Sequence, residues 1–568
     1  MNAVKFNIGL SKTNLLNPAI AANGLSRHEF TSGAENFAFF YCPQCAALDL
    51  GTKDPVEFVK RNNGLLLSFS KGCLRLYNDP FRTIPVYLCR SGDSLRIFSN
   101  FTDFYSFPRA GSSTIDTAGF WETVIFEGAL GTRTLFENLK QMPAASVLSV
   151  NPDLDYSIAR YWDFSIEADS SINTKEKAAE GLYERLDAIF KRLPKSKKYL
   201  LGLSGGIDSR LTLAMLNRHF SKDQLMLFTY GYDENILEYV YAKQIAKALG
   251  FNPPVFHKLT AQSYTECADD MAHESGAAVG MQHCHMYDFL RNSVYAGPEC
   301  SLISTAYTDA IFGYAVTEQK VEKQLADTSQ YKSLLRYRDL IDDGTFEVIR
   351  TDLEDVFADY DIHANFSCPE EYFYCTERNQ KFHLNMAYIW KKYMPTLVPY
   401  ADYSLFKYCI GMPLEFRFHK HIVDAVFDGY FSKISAARFM NISSRDFEKT
   451  ALRHRWNGKL GSYYHFKLLN RINALLVLLT NGRFQVFNRY QTEKQVANLA
   501  SSHKSLLYQA LSDLRDLKLI GDNAFEAFRR LPYRPVGVSE RYQLINISKA
   551  IKADRVGKEK RFPNYSKY

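Results

Sequence analysis

Leu203-Ser-Gly-Gly-Ile-Asp-Ser209 is the stretch from which the fold of this chain can be read. Tyr199-Leu-Leu-Gly-Leu203 leads into it as an apolar run with the character of a buried strand. Leu211, Leu213, Ala214 and Leu216 follow it as an apolar helical pattern. A strand that passes through two glycines into a helix gathers the helix's unpaired amides, together with the hydroxyls of Ser204 and Ser209, around one point. Those amides and the helix dipole both favour an anion there. Gly205 and Gly206 let a phosphate approach the backbone with no Cβ in the way. Asp208 among phosphates has a purpose only if it holds a cation, for which Mg²⁺ is the natural choice. No GxxxxGK[ST] occurs in the chain, so this is not a Walker loop. The bland alternative is an ordinary glycine-rich strand–helix turn.

Working outward, the C-terminal side alternates strand and helix. Gln224–Thr229 is expected as a strand, Leu237–Leu249 as a helix, and Pro254–His257 and Ser301–Ser304 as strands. Alternation of this kind predicts a parallel sheet covered on both faces. On the N-terminal side, Asn173-Thr-Lys-Glu176 reads as a helix cap, with Ala178, Ala179, Leu182, Leu186, Ile189 and Phe190 behind it. Before about residue 165 the apolar runs are short and β-like: Gly64–Ser70, Cys73–Tyr77, Pro85–Cys89 and Ser94–Phe98. Beyond about residue 380 the pattern is mostly helical.

A length of 568 residues fits two to four domains. With 46% hydrophobic and 23% charged residues, the composition excludes a disordered or collagen-like chain. The longest apolar candidate for a membrane span, Ala474–Leu479, is far short of the ~20 residues needed. No secretory signal is evident, so a cytoplasmic protein without a membrane partner is expected. A net charge of +7 is too thin to predict a nucleic-acid surface. It gathers only near the end, at Lys549, Lys552, Arg555, Lys558, Lys560, Arg561 and Lys567, where a solvated tail is the simpler reading. The ten cysteines read as ordinary reduced thiols. Cys42-Pro-Gln-Cys45 has half the spacing of a zinc or redox site, and His283-Cys284-His285 is the one candidate to complete it.

The SGGxDS loop after a strand resembles the pyrophosphate loop of the ATP pyrophosphatase superfamily. Flanking segments narrow the resemblance to the glutamine-dependent asparagine synthetases and the related β-lactam synthetases. Those segments are Gly131-Thr-Arg-Thr-Leu-Phe-Glu137, Arg160-Tyr-Trp162, Asn78–Tyr87, Phe228–Gly231, Val398-Pro-Tyr-Ala-Asp402 and Trp456-Asn-Gly-Lys459-Leu-Gly461. Ser304-Thr-Ala-Tyr-Thr-Asp309-Ala-Ile-Phe-Gly313 stands where the family carries SGEGADELFGG. The resemblance implies an α/β chain in three parts. Residues 1–165 would form an Ntn-hydrolase-like αββα sandwich, a degenerate class II glutaminase. Residues 172–490 would form a parallel-sheet synthetase domain with a helical C-terminal part. Residues 491–568 would be an extension with a basic tail.

It also implies roles. Ser204, Gly205, Gly206 and Ser209 would bind the ATP phosphates, and Asp208 and Asp309 would hold Mg²⁺. Leu203, Tyr230, Ser304 and Thr305 would form the adenosine pocket. A substrate carboxylate would be adenylated with release of pyrophosphate, then transferred to an amine or ammonia. Lys459 would stabilise developing charge at the reacting carboxyl. The substrates would be a small-molecule or peptide acid and its amine. A homo-oligomer or a biosynthetic partner protein would be compatible with this.

Departures from the family pattern matter as much. The glutaminase nucleophile is an N-terminal cysteine, whereas Asn2 follows Met1 here, which predicts an inactive glutaminase. The glutamate of SGEGAD is replaced by Ala306, leaving Tyr307, one position out of register, as the candidate base. Arg210, just after the loop, is a candidate to hold a phosphate or an acidic substrate. Three readings stand: an amide synthetase acting on a specialised carboxylate, a true asparagine synthetase, and a non-catalytic nucleotide or partner binder.

Overall fold

A computed structural model describes residues 5–11, 19–42, 48–107, 113–234, 236–295, 297, 299–317, 319–322, 324–360, 365–435, 498–530 and 538–556. Several expectations fall outside that set: Lys459 with Trp456 and Gly461, Cys45, Met1 and Asn2, and the tail from Lys558.

The N-terminal part is two antiparallel sheets packed face to face. One has the spatial order Ala19–Asn23, Lys5–Ser11, Ser94–Phe98, Tyr87–Ser91, Leu139–Gln141. The other runs Tyr156–Arg160, Ser146–Val150, Cys73–Asn78, Leu65–Ser70, Glu35–Tyr41, Ser26–Ser32. Strict alternation explains the pairing. Phe6, Ile8 and Leu10 from the first sheet meet Leu65, Leu67, Leu74 and Leu76 from the second in one buried cluster. Each such side chain contributes about 1.5–3 kcal/mol of burial. Helix Pro55–Arg61 covers the outer face of the second sheet through Phe58 and Val59, which pack on Phe37, Phe39 and Leu66. The other outer face, at Tyr87, Cys89 and Phe98, merges with the large core of the rest of the chain.

The third sheet is parallel, in the order Val255–Lys258, Leu225–Gly231, Lys198–Gly202, Cys300–Ile303, Thr396–Leu397. The chain builds outward from the central strand to one side, then returns to the other. That reversal lies between Lys198–Gly202 and Cys300–Ile303, the kind of switch point where α/β sheets open a crevice at their carboxyl ends. Thr174 caps helix Lys175–Lys191 through its side chain, as its sequence predicts.

Helices dominate after the sheet. Tyr374–His383 is a π-helix continuing into Leu384–Trp390. The C-terminal helices Lys504–Asp516 and Val538–Val556 join the main core, where Asn546 and Gln543 donate to the carbonyls of Val279 and Ala277. Lys549 and Lys552 also find partners in space, Asp269 at 2.6 Å and Asp513 at 2.5 Å, so this part of the basic end is not a free solvated tail. Among the described residues no helix is long and apolar enough to cross a membrane.

Candidate active site

The loops after the two strands at the switch point, 203–206 and 304–307, border a cavity of about 620 Å³. That volume lies within the usual range of small-ligand sites.

On one side, the backbone N–H of Leu203 donates to the Phe228 carbonyl at 2.8 Å, holding the strand end against its neighbour. Ser204 and Ser209 close the glycine loop on itself. The Ser204 N–H donates to Ser209 Oγ at 3.1 Å, and the Gly206 N–H donates to Ser204 Oγ at 3.1 Å. Gly206 is the N-cap of helix Ile207–His219, which aims the helix's N-terminal end at the loop. Leu203, Ser204, Gly206, Asp208, Ser209, Tyr230, Ser304, Thr305 and Asp309 all line the cavity. Gly205 does not appear in that lining; its carbonyl accepts from Arg210 Nη2 at 3.2 Å. Arg210 is buried, and burial pulls its guanidinium down to about 10. It braces the loop from beneath, and the cavity lining does not include it.

Asp208 and Asp309 come together as the sequence predicts, around a cation the sequence reading missed. Lys420 Nζ donates to both carboxylate oxygens of Asp208, at 2.9 and 2.8 Å, and to Asp309 Oδ1 at 2.7 Å. Burial raises the Asp208 carboxyl, and nearby Asp309 raises it further, while Lys420 opposes both. Burial opposes the charge of Lys420 as well, but the two carboxylates outweigh it and hold the amine above its ordinary range. Lys420 takes a left-handed backbone (φ 61°) at the start of helix His421–Tyr430. The only trace of it in the sequence is a lysine immediately before an amphipathic helix, which is too common a pattern to single out.

Tyr307 lines the cavity as well, but its hydroxyl is tied to the backbone behind it. Its backbone is left-handed (φ 81°), costly for a tyrosine and free for the glycine that the resembling motif carries at this place. The ring is buried against Phe81 and Phe406, and its hydroxyl donates to the Cys375 carbonyl at 2.8 Å. Burial pushes that hydroxyl well above its usual range, the wrong direction for a base. Gly313, the retained glycine of the motif, has φ 89°, and a Cβ there would lie 2.1 Å from the Arg417 carbonyl oxygen.

The rest of the cavity is lined by residues the sequence did not flag for it. His285 stacks on Tyr230 at 4.3 Å between centroids, and burial lowers it to about 3. Arg378, on the π-helix, donates to Glu127 Oε2 at 2.6 Å, and His283 Nε2 stands 3.6 Å from the same carboxylate. His383 Nδ1 lies 2.7 Å from Asn379 Oδ1. Glu127 ends helix Thr117–Phe126 and does not line the cavity itself, but backs its wall through Arg378 and His283. His283 and His285 thus face this cavity, and among the described residues no group of three His, Cys, Asp or Glu side chains could hold a metal. Cys42 is buried with its Sγ 3.1 Å from Lys391 Nζ.

Residues 182–286 match the asparagine synthase family. The matched segment holds the glycine loop, Asp208 and Tyr230, and ends before Asp309 and Lys420. It supports an asparagine synthetase-like chain and implies an ATP-dependent ligase that forms C–N bonds, with a carboxylate and an amine or ammonia as its substrates. No curated protein matches the chain. Among solved structures, a glutamine phosphoribosylpyrophosphate amidotransferase from B. subtilis, complexed with ADP and GMP, is similar over 46% of this chain and 86% of its own. Identity there is 7% and the TM-score 0.19.

Proposed function

We propose that this chain activates a carboxylate with ATP, releasing pyrophosphate, and passes the resulting acyl-adenylate to an amine or ammonia. One observation carries the reading: Asp208 and Asp309 converge on a single cation beside a glycine loop that caps a helix at the switch point of a parallel sheet. Ser204, Gly205, Gly206 and Ser209 would hold the phosphates, and Leu203, Tyr230, Ser304 and Thr305 the nucleoside. Mg²⁺ fits Asp208 and Asp309, because that ion is commonly bound by one or two carboxylates and completes its shell with phosphate and water. It would offset charge on the departing pyrophosphate. Lys459 would serve the reacting carboxyl. Residues 1–165, 172–490 and 491–568 would be the sandwich, synthetase and C-terminal portions. The acid belongs to specialised biosynthesis in this reading, since Ala306 removes the glutamate expected of true asparagine synthesis.

The test is pyrophosphate release from ATP–Mg²⁺ across a panel of carboxylic acids. Release that depends on one class of acid supports the reading; release with none of them, alongside tight nucleotide binding, would sink it. That second outcome would favour a non-catalytic nucleotide binder. One observation speaks for it: the amine of Lys420 already bridges the two carboxylates where a divalent ion would sit.

A further inference from the structure

Amide formation needs a proton acceptor, because an amine must shed protons as it becomes an amide nitrogen. The cavity lining offers several, among them Glu238, which lies on the helix Leu237–Ala248. Asp208 and Asp309 are committed to Lys420, and the Tyr307 hydroxyl is buried against Cys375. His285 lies flat on Tyr230, and His283 faces Glu127.

His383 is placed differently. Asn379 Nδ2 donates to the Tyr374 carbonyl at 2.9 Å, which fixes the amide so that its Oδ1 is the end facing the imidazole. The 2.7 Å contact therefore makes His383 Nδ1 the donor and leaves the lone pair on Nε2. The ring lines the cavity on the π-helix, a distortion that recurs at functional sites. We infer that His383 is the general base of the amide-forming step, its ring oriented by Asn379. The inference rests on the synthetase reading above.

In that step the amine nitrogen attacks the acyl carbon of the adenylate and the C–N bond forms. The C–O bond to AMP breaks, and its electron pair leaves on the phosphate oxygen. Starting from an ammonium ion, the nitrogen sheds two protons, one to His383 Nε2 and one to water. Burial holds the imidazole neutral, lowering it to about 4, the proton affinity of an ordinary glutamate. Arg378 and His283 also disfavour the imidazolium, while Asp309 and Glu127 favour it.

The experiment uses the full chain, ATP–Mg²⁺ and the acid that supports ATP/pyrophosphate exchange, with ammonium chloride or hydroxylamine as acceptor. In His383→Gln, exchange should stay within about twofold while amide formation from ammonia falls about 10²–10³-fold. Hydroxylamine, already unprotonated at neutral pH, should show a smaller defect. Asn379→Asp sets a carboxylate beside the ring and should move the acidic limb of the ammonia-dependent rate to higher pH. His383→Gln that forms the amide at the original rate overturns the assignment, as does equal loss of exchange and amide formation. Absence of exchange in the unaltered chain with every acid defeats the synthetase reading itself.

Discussion

Asp79 and Asp208 are both carboxylates that follow a strand, Asp79 fully buried in the antiparallel sandwich and Asp208 only partly buried beside the parallel sheet. Asp79 is met entirely by neutral donors: the N–H groups of Gly64, Phe81 and Thr83 and the Thr83 hydroxyl. It staples a turn from inside, and burial lifts its carboxyl to about 6 despite those bonds. Asp208 is met by the charged amine of Lys420 at the edge of an open cavity. A buried carboxylate bonded to its own backbone is a fixture. One paired with a lysine amine beside a cavity stands where the proposed Mg²⁺ would have to displace that amine. The sheets impose this difference. Antiparallel sheets facing each other bury both inner faces, whereas a parallel sheet with a reversal in strand order leaves a crevice at its strand ends.

The sharpest test of the contrast is Asp208→Asn, which should lower acid-dependent pyrophosphate release by about 10³-fold. A coupled pyrophosphate assay reads it, and full activity would sink the metal assignment. Lys420→Met leaves two carboxylates facing each other without their amine. If the lysine serves the reaction, pyrophosphate release should fall about 10²-fold. If it merely holds the metal's place, release should persist while calorimetry shows tighter Mg²⁺ binding.

On the sandwich side, Asp79→Ala orphans several buried donors and should cost about 1–3 kcal/mol of stability, measured by urea unfolding. Because the folded state binds the Asp79 proton more tightly than the unfolded chain, its contribution is full below about pH 4. The contribution is lost as pH rises through about 6. The urea midpoint should fall over that window, and Asp79→Asn should flatten the fall. Tyr307→Phe should have the smallest effect, about 0.5–1.5 kcal/mol of stability with turnover within about twofold. A loss of orders of magnitude in turnover would return the hydroxyl to the chemistry.

Local features were legible before the fold. The strand–glycine–helix transition at Leu203–Ser209, the Thr174 cap and the run of strands from Leu225 to Ile303 follow from period, capping and glycine placement. Each depends on neighbours a few residues apart. Tyr307 was legible only as a polar ring near the motif. Its direction follows from a positive φ and from packing on Phe81 and Phe406, which no local pattern announces.

The sequence by itself determined that a strand passes through a glycine turn into a helix with Asp208 in its first turn; only the family resemblance paired Asp309 with it. Tertiary structure alone decided what stands between them. Lys420 lies 212 residues from Asp208 and 111 from Asp309, yet its amine touches both. The helix Tyr374–His383 likewise brings Arg378 and His383 to the cavity, with Glu127 behind Arg378. The physical reason is that strand order and helix packing are settled by burial across the whole chain. Which distant charges then meet is a consequence of that burial.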